Sequence, residues 1–215
     1  MKLLREISED IKLEESTYNG KKSHFINGIF MQAEVKNGNG RIYPINVMKK
    51  AAESYISESV TRNKAYGELD HPSGANVSLR NASHIITELR LEDNNYVGKA
   101  RIFEGTASGD TAIGLIKGGA NLGVSSRALG SINETARGKI VENMHIITAG
   151  DIVADPSAPE AFMDALYEGK EWVWDNGVAI EKIMQEELKS SVDHAVVIER
   201  RIKAFGRFLN EIKNV

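Results

Sequence analysis

The chain has 215 residues, of which 41% are hydrophobic and 27% are charged, and its formal net charge is −3. This is ordinary globular composition, sufficient for one well-filled core, and the charge argues against a primary nucleic-acid binder because no strongly basic field is available to neutralise phosphates. Cysteine is absent, which excludes disulfides, thiol nucleophiles and thiolate metal sites and suits a reducing cytosol.

The sequence has neither a membrane-spanning segment nor a signal peptide that can be recognised. No apolar run approaches the roughly 20 residues that span a bilayer. Residues 1–15 mix Leu and Ile with alternating charges and lack the apolar core of a signal peptide. We therefore expect a soluble protein, without a membrane partner, that stays in the compartment where it is made.

In chain order, the hydrophobic pattern predicts an N-terminal arm, a mostly β body and a helical appendage. Residues 1–20 are charged and weakly amphipathic, with apolar residues at helical spacing. Alternating and β-branched runs then predict strands, and periodic apolar residues predict helices. The predicted strands cover residues 25–35, 83–91, 96–103, 122–129 and 139–153, and the predicted helices cover residues 46–60, 108–117 and 160–167.

The pattern changes beyond Gly169. Residues 178–188 and 192–212 each carry apolar residues on one helical face, which predicts two amphipathic helices that pack on the body or on a partner. Short central strands with helices around them predict an α+β protein whose body is a mostly antiparallel β-barrel. The expected organisation is an arm over residues 1–20, a body over residues 21–168 and a helical appendage over residues 169–215.

His71 is the candidate general base, since a chain without cysteine must use Ser or Thr as a nucleophile and each needs a base. It lies in Gly67–Pro72, where an extended run ends at a proline. Catalytic and binding residues are often found on such loops at the end of a strand. A surface loop histidine is the alternative. The remaining histidines are predicted to be strand residues or solvated: His24, His84, His145 and His194. No two of them have ligand spacing, so neither a metal nor a cofactor is expected.

Ser125 and Ser126 are adjacent in the strand-like run Gly123–Gly130. Adjacent residues of a strand point to opposite faces, so one serine can face a cleft while the other packs behind it. The glycines at both ends allow another backbone to approach closely. From these residues alone, a purely structural strand is the simpler interpretation.

The third candidate is an aspartate. Asp151 lies in the apolar run 149–154, where a carboxylate is costly to bury without a partner, and an imidazole is a natural partner. Asp155, which precedes Pro156, fits an ordinary turn.

Taken together and in this order, these segments resemble the prohead core proteases of large contractile-tailed phages, which share the fold of the herpesvirus assemblins. The match runs from about Gly28 to Ala161, roughly two-thirds of the chain. Any one motif is weak, but the common order and spacing make the match specific. The motifs are Gly28–Val35, Asn39–Pro44, Gly67–Pro72, Ala75–Val77, Gly123–Arg127 and Pro156–Pro159.

The resemblance implies an assemblin-like fold and the residues of a serine protease. It assigns the nucleophile to Ser125 and the base to His71. The third member of the triad is then Asp151, with His145 as the alternative.

The resemblance also implies where the oxyanion is stabilised. In assemblin-like folds the donors lie shortly after the third triad member, so residues 154–158 are the expected loop. Arg127 either supports that loop or forms a surface ion pair.

Related phage proteases cut after Glu in sequences of the type Leu or Ile, any residue, Glu. The resemblance therefore implies that the scaffold core and capsid proteins of the prohead are substrates and partners. The same pattern within this chain implies self-cleavage, expected in the N-terminal arm and near Glu168, at the edges of the body. Its copies end at Glu6, Glu15, Glu88, Glu134, Glu168 and Glu211.

We therefore expect a serine endopeptidase that works inside the viral prohead in the host cytoplasm, as a homo-oligomer. The alternative from another class is a non-catalytic scaffold or capsid-assembly protein that keeps the barrel. A nucleotide or metal hydrolase has no supporting phosphate loop or ligand cluster in the sequence, and no nucleic-acid partner is expected.

Overall fold

In the computed structural model the described residues are 2–8, 11–72, 74–154, 171–175 and 178–182. The chain divides into two units, residues 1–181 and residues 182–215, and everything described below except Lys182 lies in the first. The predicted helices over residues 160–167 and 192–212, and most of the one over residues 178–188, lie outside the described residues.

Long strands alternate with short helices along the first unit. The helix Ile45–Tyr55 continues into a π-helical segment, Ile56–Val60. The elements are β1 (Lys2–Ser8), β2 (Ile11–Tyr18), β3 (Lys21–Gln32), β4 (Arg41–Ile42), α1 (Ile45–Tyr55), β5 (Tyr66–Glu68), β6 (Ala82–Glu92), β7 (Asn95–Ile102), α2 (Ala107–Lys117), β8 (Gly123–Thr135), β9 (Gly138–Val153), β10 (Glu171–Asp175) and β11 (Val178–Lys182).

The described strands form two main sheets. The four-stranded sheet has the order β1-β8-β9-β4, and the five-stranded sheet has the order β2-β3-β7-β6-β5, while β10 and β11 form a separate pair. Neighbours in both main sheets are antiparallel, except that β4 runs parallel to β9. The expectation of a mostly antiparallel α+β body is confirmed.

The expected closed barrel is not found among the described strands. Strand β5 has only three residues, and a register shift between Gly67 and Glu68 ends its regular pairing with β6. The chain then turns towards the other sheet, where Leu69 forms a single parallel bridge with Ile152. Among the described strands, pairing between the two sheets is therefore limited to this bridge, and the sheets do not close into a continuous barrel.

The helical interpretation of the N-terminal arm is wrong for its described residues, which form strands β1 and β2. An isolated helix of this length is marginal in water, whereas the edges of both sheets offer unpaired backbone groups that a strand can satisfy. Strand β1 pairs with β8 and β2 pairs with β3. Residues 178–182 of the appendage likewise form strand β11 instead of a helix.

The elements predicted between residues 25 and 153 are confirmed in type, with shifted boundaries. Their apolar faces form one buried cluster that takes residues from both sheets and from α1 and α2. Phe30 is fully buried in it, and it packs so closely on β7 that a Cβ on Gly98 would come within 2.6 Å of its ring. None of the described helices is long and apolar enough to cross a bilayer.

Candidate active site

Three side chains from separate parts of the sequence meet where β8, β9 and the loop after β5 converge. Ser125 on β8 pairs with Asp151 on β9, and His71 lies between their side chains. The distance from His71 Nε2 to Ser125 Oγ is 2.7 Å, and that from His71 Nδ1 to Asp151 Oδ2 is 3.1 Å. With the ring proton on Nδ1, the imidazole donates to the carboxylate and leaves Nε2 free to accept from the serine hydroxyl.

The local sequence explains how the chain reaches His71. Asp70 has a φ of 63°, in the left-handed region that Asp tolerates better than most residues. Its N–H donates to Ile152 O at 2.8 Å, which ties the loop to β9. Pro72 follows immediately and restricts the backbone of His71 to extended conformations, so the imidazole is held on a short and constrained segment.

Strand β8 places Ser125 and Arg127 on the side of Asp151. A β-bulge interrupts the pairing with β9, because Ser125 pairs with Asp151 while Arg127 pairs with Thr148. Bulges of this kind re-aim side chains next to active sites. Ser126 and Ser125 are both buried, and their alternation along β8 points them to opposite faces.

Asp151 is fully buried and accepts four hydrogen bonds. Oδ1 accepts from Glu68 N at 2.9 Å and from Arg127 Nη2 at 3.2 Å, and Oδ2 accepts from Arg127 Nε at 2.6 Å and from His71 Nδ1. Burial pushes the pKa of Asp151 upwards, but the hydrogen bond from His71 and the charge of Arg127 outweigh burial and hold the pKa below its usual value. The carboxylate is therefore ionised.

Arg127 is fully buried, so its interpretation as a surface ion pair is wrong. Besides Asp151 it contacts Glu68, with Nη2 to Oε2 at 2.6 Å, and Nη1 donates to the carbonyl of Ala75 at 2.9 Å and that of Gly74 at 3.2 Å. The loop it was expected to support lies mostly outside the described residues, since residues 155–158 are not among them. The sequence analysis missed Glu68, although its position three residues before the candidate base was a signal.

The two histidines predicted in strands lie away from Ser125. His145 pairs with Leu129, four positions further along β8, and lines a surface pocket between α1 and β9. His84 is fully buried, with Nε2 2.9 Å from Gly150 O and Nδ1 2.9 Å from Ser83 Oγ. Burial lowers the pKa of His84, so its ring is neutral.

His24 and His194 complete the histidines of the chain. His24 on β3 bonds through Nδ1 to Glu104 Oε1 at 2.8 Å, on the five-stranded sheet and remote from Ser125 in the pairing order. His194 lies outside the described residues. Within the part of the chain that the structure describes, no cluster of three or more His, Asp or Glu side chains is arranged to hold a metal ion.

Strand β1 runs alongside the strand that carries Ser125. In this antiparallel pairing Ile7 lies opposite Ser125 and Glu6 lies opposite Ser126. Leu4 is buried at 1% exposure and packs on Gly130, where an added Cβ would come within 2.5 Å of Leu4 Cδ1. Ser125 itself is fully buried.

Comparison with known proteins places the chain in a family. Residues 7–171 match a family model described as prohead core protein serine protease. The prohead core protein protease of Enterobacteria phage T4 is 44% identical over 142 residues, 65% of this chain and 67% of that protein. The solved structure of the bacteriophage T4 capsid assembly protease matches with a TM-score of 0.68 and 37% identity, covering 72% of this chain and 98% of its own. The chain therefore belongs to the prohead core protein serine protease family and is a protease of bacteriophage capsid assembly.

Proposed function

We propose that this protein is a serine endopeptidase of prohead maturation in which Ser125 is the nucleophile, His71 the general base and Asp151 the residue that orients the base. The observation that carries the proposal is the position of His71, within hydrogen-bond reach of both Ser125 Oγ and Asp151 Oδ2. A nucleophile bonded to a base that is itself oriented by a third group is the arrangement that activates a serine hydroxyl.

In this mechanism His71 Nε2 removes the Ser125 proton as Oγ attacks the scissile carbonyl. The imidazolium that forms is stabilised by ionised Asp151, and the proton on Nε2 then passes to the leaving amine. Water hydrolyses the acyl-enzyme by the same route. The buried group of Asp151, Glu68 and Arg127 carries one net negative charge when all three are ionised, which favours the cationic imidazole in the transition state.

The substrates we propose are scaffold core and capsid proteins, cut inside the prohead after Glu in Leu/Ile-x-Glu sequences. Membership of a protease family disfavours the non-catalytic scaffold alternative. The packing of Leu4 supports the first position of the pattern, since Leu4 stands two residues before Glu6 and is buried against Gly130 beside the nucleophile strand. A branched apolar side chain gains free energy in such a pocket, and the absence of a Cβ at Gly130 makes the room for it.

The same contacts support self-cleavage after Glu6. The bond between Glu6 and Ile7 lies opposite Ser126 and Ser125 in the β1–β8 pairing, whereas Glu15 lies in the five-stranded sheet opposite His24. We therefore propose that β1 is the first substrate of the enzyme and that its removal uncovers Ser125. Self-cleavage near Glu168 remains part of the proposal, although that site lies outside the described residues.

The proposed nucleophile is tested by comparing Ser125→Ala with Ser126→Ala, using a fluorogenic peptide that copies residues 2–8. Loss of the nucleophile from a triad costs on the order of a millionfold in kcat, so Ser125→Ala is expected to be inactive. Ser126→Ala is the matched control and is expected to keep most of the activity. Equal activity in both variants, or a larger loss in Ser126→Ala, contradicts the assignment.

Self-cleavage is tested by intact-mass measurement during incubation. The wild type is expected to lose residues 1–6, Ser125→Ala to stay intact, and Glu6→Gln to stay uncut at that site. Glu15→Gln is the control, because it changes another copy of the pattern, and it is expected to be processed like the wild type. Processing that Glu15→Gln prevents and Glu6→Gln leaves unchanged would show that the proposed site is wrong.

We also propose that the C-terminal residues 169–215 dock the enzyme on the scaffold core. The support is the apolar face over residues 192–212 in the sequence. A chain ending at Glu168 is expected to cleave the peptide as the full chain does but to be left out of assembled proheads. Normal incorporation of the shortened chain, measured by gel densitometry of purified proheads, would exclude this role.

A further inference from the structure

The buried guanidinium of Arg127 connects three segments of the chain. Nε and Nη2 donate to Asp151 on β9, Nη2 also donates to Glu68 at the end of β5, and Nη1 donates to the carbonyls of Gly74 and Ala75 in the loop that follows His71. All three guanidinium nitrogens are used.

Glu68 extends the same network to the far end of that loop. Its Oε2 accepts from Arg127 and its Oε1 accepts from Ser78 N at 3.0 Å, while its own N–H donates to Asp151 Oδ1. Three contacts therefore hold the loop. Asp70 bonds to β9 just before His71, and Arg127 bonds to Ala75 in the middle of the loop. Glu68 bonds to Ser78 at the far end. From this loop His71 reaches Ser125 Oγ through Nε2.

Stability alone does not account for three buried charged side chains. Replacing buried ion pairs with apolar residues of similar volume is often neutral or stabilising. A planar guanidinium, however, presents its donors in a fixed fork that a flexible ammonium cannot reproduce. The value of Arg127 at this position is thus geometric, since one rigid group sets the distance between Asp151 and the loop that carries His71.

We propose that Arg127 is a positioning residue of the active site, whose guanidinium holds Asp151 and the loop after His71 in register, and that Glu68 holds the guanidinium in place. The proposal rests on the proposed triad. Arg127 acts through Asp151 and the backbone of residues 74–76, not on the reacting atoms themselves.

The test compares kcat and KM of full-length variants for the fluorogenic peptide that copies residues 2–8. Displacement of catalytic groups by about 1 Å costs about a hundredfold in rate, so Arg127→Gln is expected to lower kcat by about that factor and to leave KM within a few-fold. Arg127→Lys keeps the charge and lacks the fork, so it is expected to recover only part of kcat. Arg101→Gln is the matched control, because Arg101 stacks on Tyr18 on the five-stranded sheet, and its kcat is expected to be that of the wild type.

A second variant keeps the test decisive if Arg127→Gln fails to fold. Glu68→Gln/Arg127→Gln removes one charge of each sign, so the buried group keeps its single net negative charge while the donors to Asp151 and the loop are lost. We expect this double variant to fold with a cooperative thermal transition and to show the hundredfold lower kcat. Wild-type kcat in the double variant, or in Arg127→Lys, would overturn the proposal.

The activity of the Ser125→Ala variant in the same series distinguishes failure of the positioning role of Arg127 from failure of the proposed function. An inactive Ser125→Ala together with fully active Arg127 variants refutes the positioning role and leaves the proposed function standing. An active Ser125→Ala refutes the proposed function and the positioning role with it.

Discussion

Two groups of ion pairs in this protein differ in what surrounds them. On the five-stranded sheet, Lys22 pairs with Glu15 and Arg90 pairs with Glu92, and all four side chains are about half exposed or more. Beside Ser125, Arg127 pairs with Glu68 and Asp151, and all three side chains have no exposed surface. Water screens the charges of the exposed pairs and competes for their hydrogen bonds, whereas the buried charges depend on protein groups for their hydrogen bonds.

Burial decides how strongly an ion pair depends on its geometry. An exposed pair can rearrange at little cost because water replaces the missing partner. A buried carboxylate or guanidinium has no such replacement, so each loss of a partner leaves a charge in a poor environment.

Asp151→Asn is expected to have the largest effect. The amide keeps the volume but removes the charge that orients the ring of His71 and stabilises its cation, which in a serine triad costs on the order of ten-thousandfold in kcat. Steady-state cleavage of the residue 2–8 peptide, with circular dichroism as the check on folding, measures the loss. A folded variant within tenfold of the wild type would mean that Asp151 has no role in catalysis.

Arg127→Gln is expected to lower the free energy of unfolding by about 3–5 kcal/mol, because it leaves Glu68 and Asp151 as neighbouring buried carboxylates without their cation. Urea denaturation in a Ser125→Ala background, which prevents self-cleavage, measures this. Adding Glu68→Gln is expected to restore part of the loss. If the double variant is less stable than the single one, the two side chains are not coupled as the structure indicates.

His84 is a buried ionisable residue, and it is expected to make the stability of the protein depend on pH. Burial lowers its pKa below the ordinary 6.5, so the unfolded chain binds a proton that the folded protein excludes. Stability is therefore complete above the unfolded pKa and falls as the pH drops from about 6.5 towards the folded pKa, by about 1.4 kcal/mol per pH unit for this group.

The control for this prediction is His84→Gln, whose amide nitrogen can still donate to Gly150 O. Unfolding in urea at pH 7.5, 6.5 and 5.5, again in the Ser125→Ala background, is expected to show a smaller loss in the variant. His145, whose pKa burial also lowers, is present in both proteins and cancels. Parallel pH dependences in the two proteins would show that His84 titrates alike in the folded and unfolded states.

Arg90→Ala is expected to have the smallest effect. Its partner Glu92 lies at the exposed end of the β6–β7 hairpin, and exposed pairs contribute little because solvent screens them. The urea midpoint and peptide cleavage are both expected to match the wild type within error. A loss comparable to that of Arg127→Gln would remove the distinction between the two groups.

The sequence predicted the parts of this protein that depend on local pattern. The alternation of apolar residues was enough for β3, β6, β7 and β9, and the periodicity before Lys117 was enough for α2. The family resemblance indicated Ser125, His71 and Asp151, and the cost of burying an isolated carboxylate also indicated Asp151. The structure brings these three side chains together. Their catalytic roles remain a proposal until the variants are measured.

Long-range pairing accounts for what the sequence did not show. Leu4 and Ile7 fit a helix by spacing, but β1 is a strand because its partner is the edge of β8, more than a hundred residues away in the chain. Arg127 and Glu68 meet only because a β-bulge shifts the β8–β9 pairing and β5 ends against β9. Neither the bulge nor the end of β5 has a signature in the amino-acid pattern, so the sequence could not decide between a supporting role and a surface ion pair for Arg127.

The most direct test of the account is to map the residue that a fluorophosphonate modifies in enzyme that is cleaving the residue 2–8 peptide. Such reagents form a stable bond with a serine activated by a neighbouring base. Peptide mass spectrometry is expected to find the label on Ser125, with loss of peptide cleavage in proportion to labelling and no labelling of His71→Ala. A label on Ser126, or complete labelling of Ser125 with undiminished cleavage, would contradict the account.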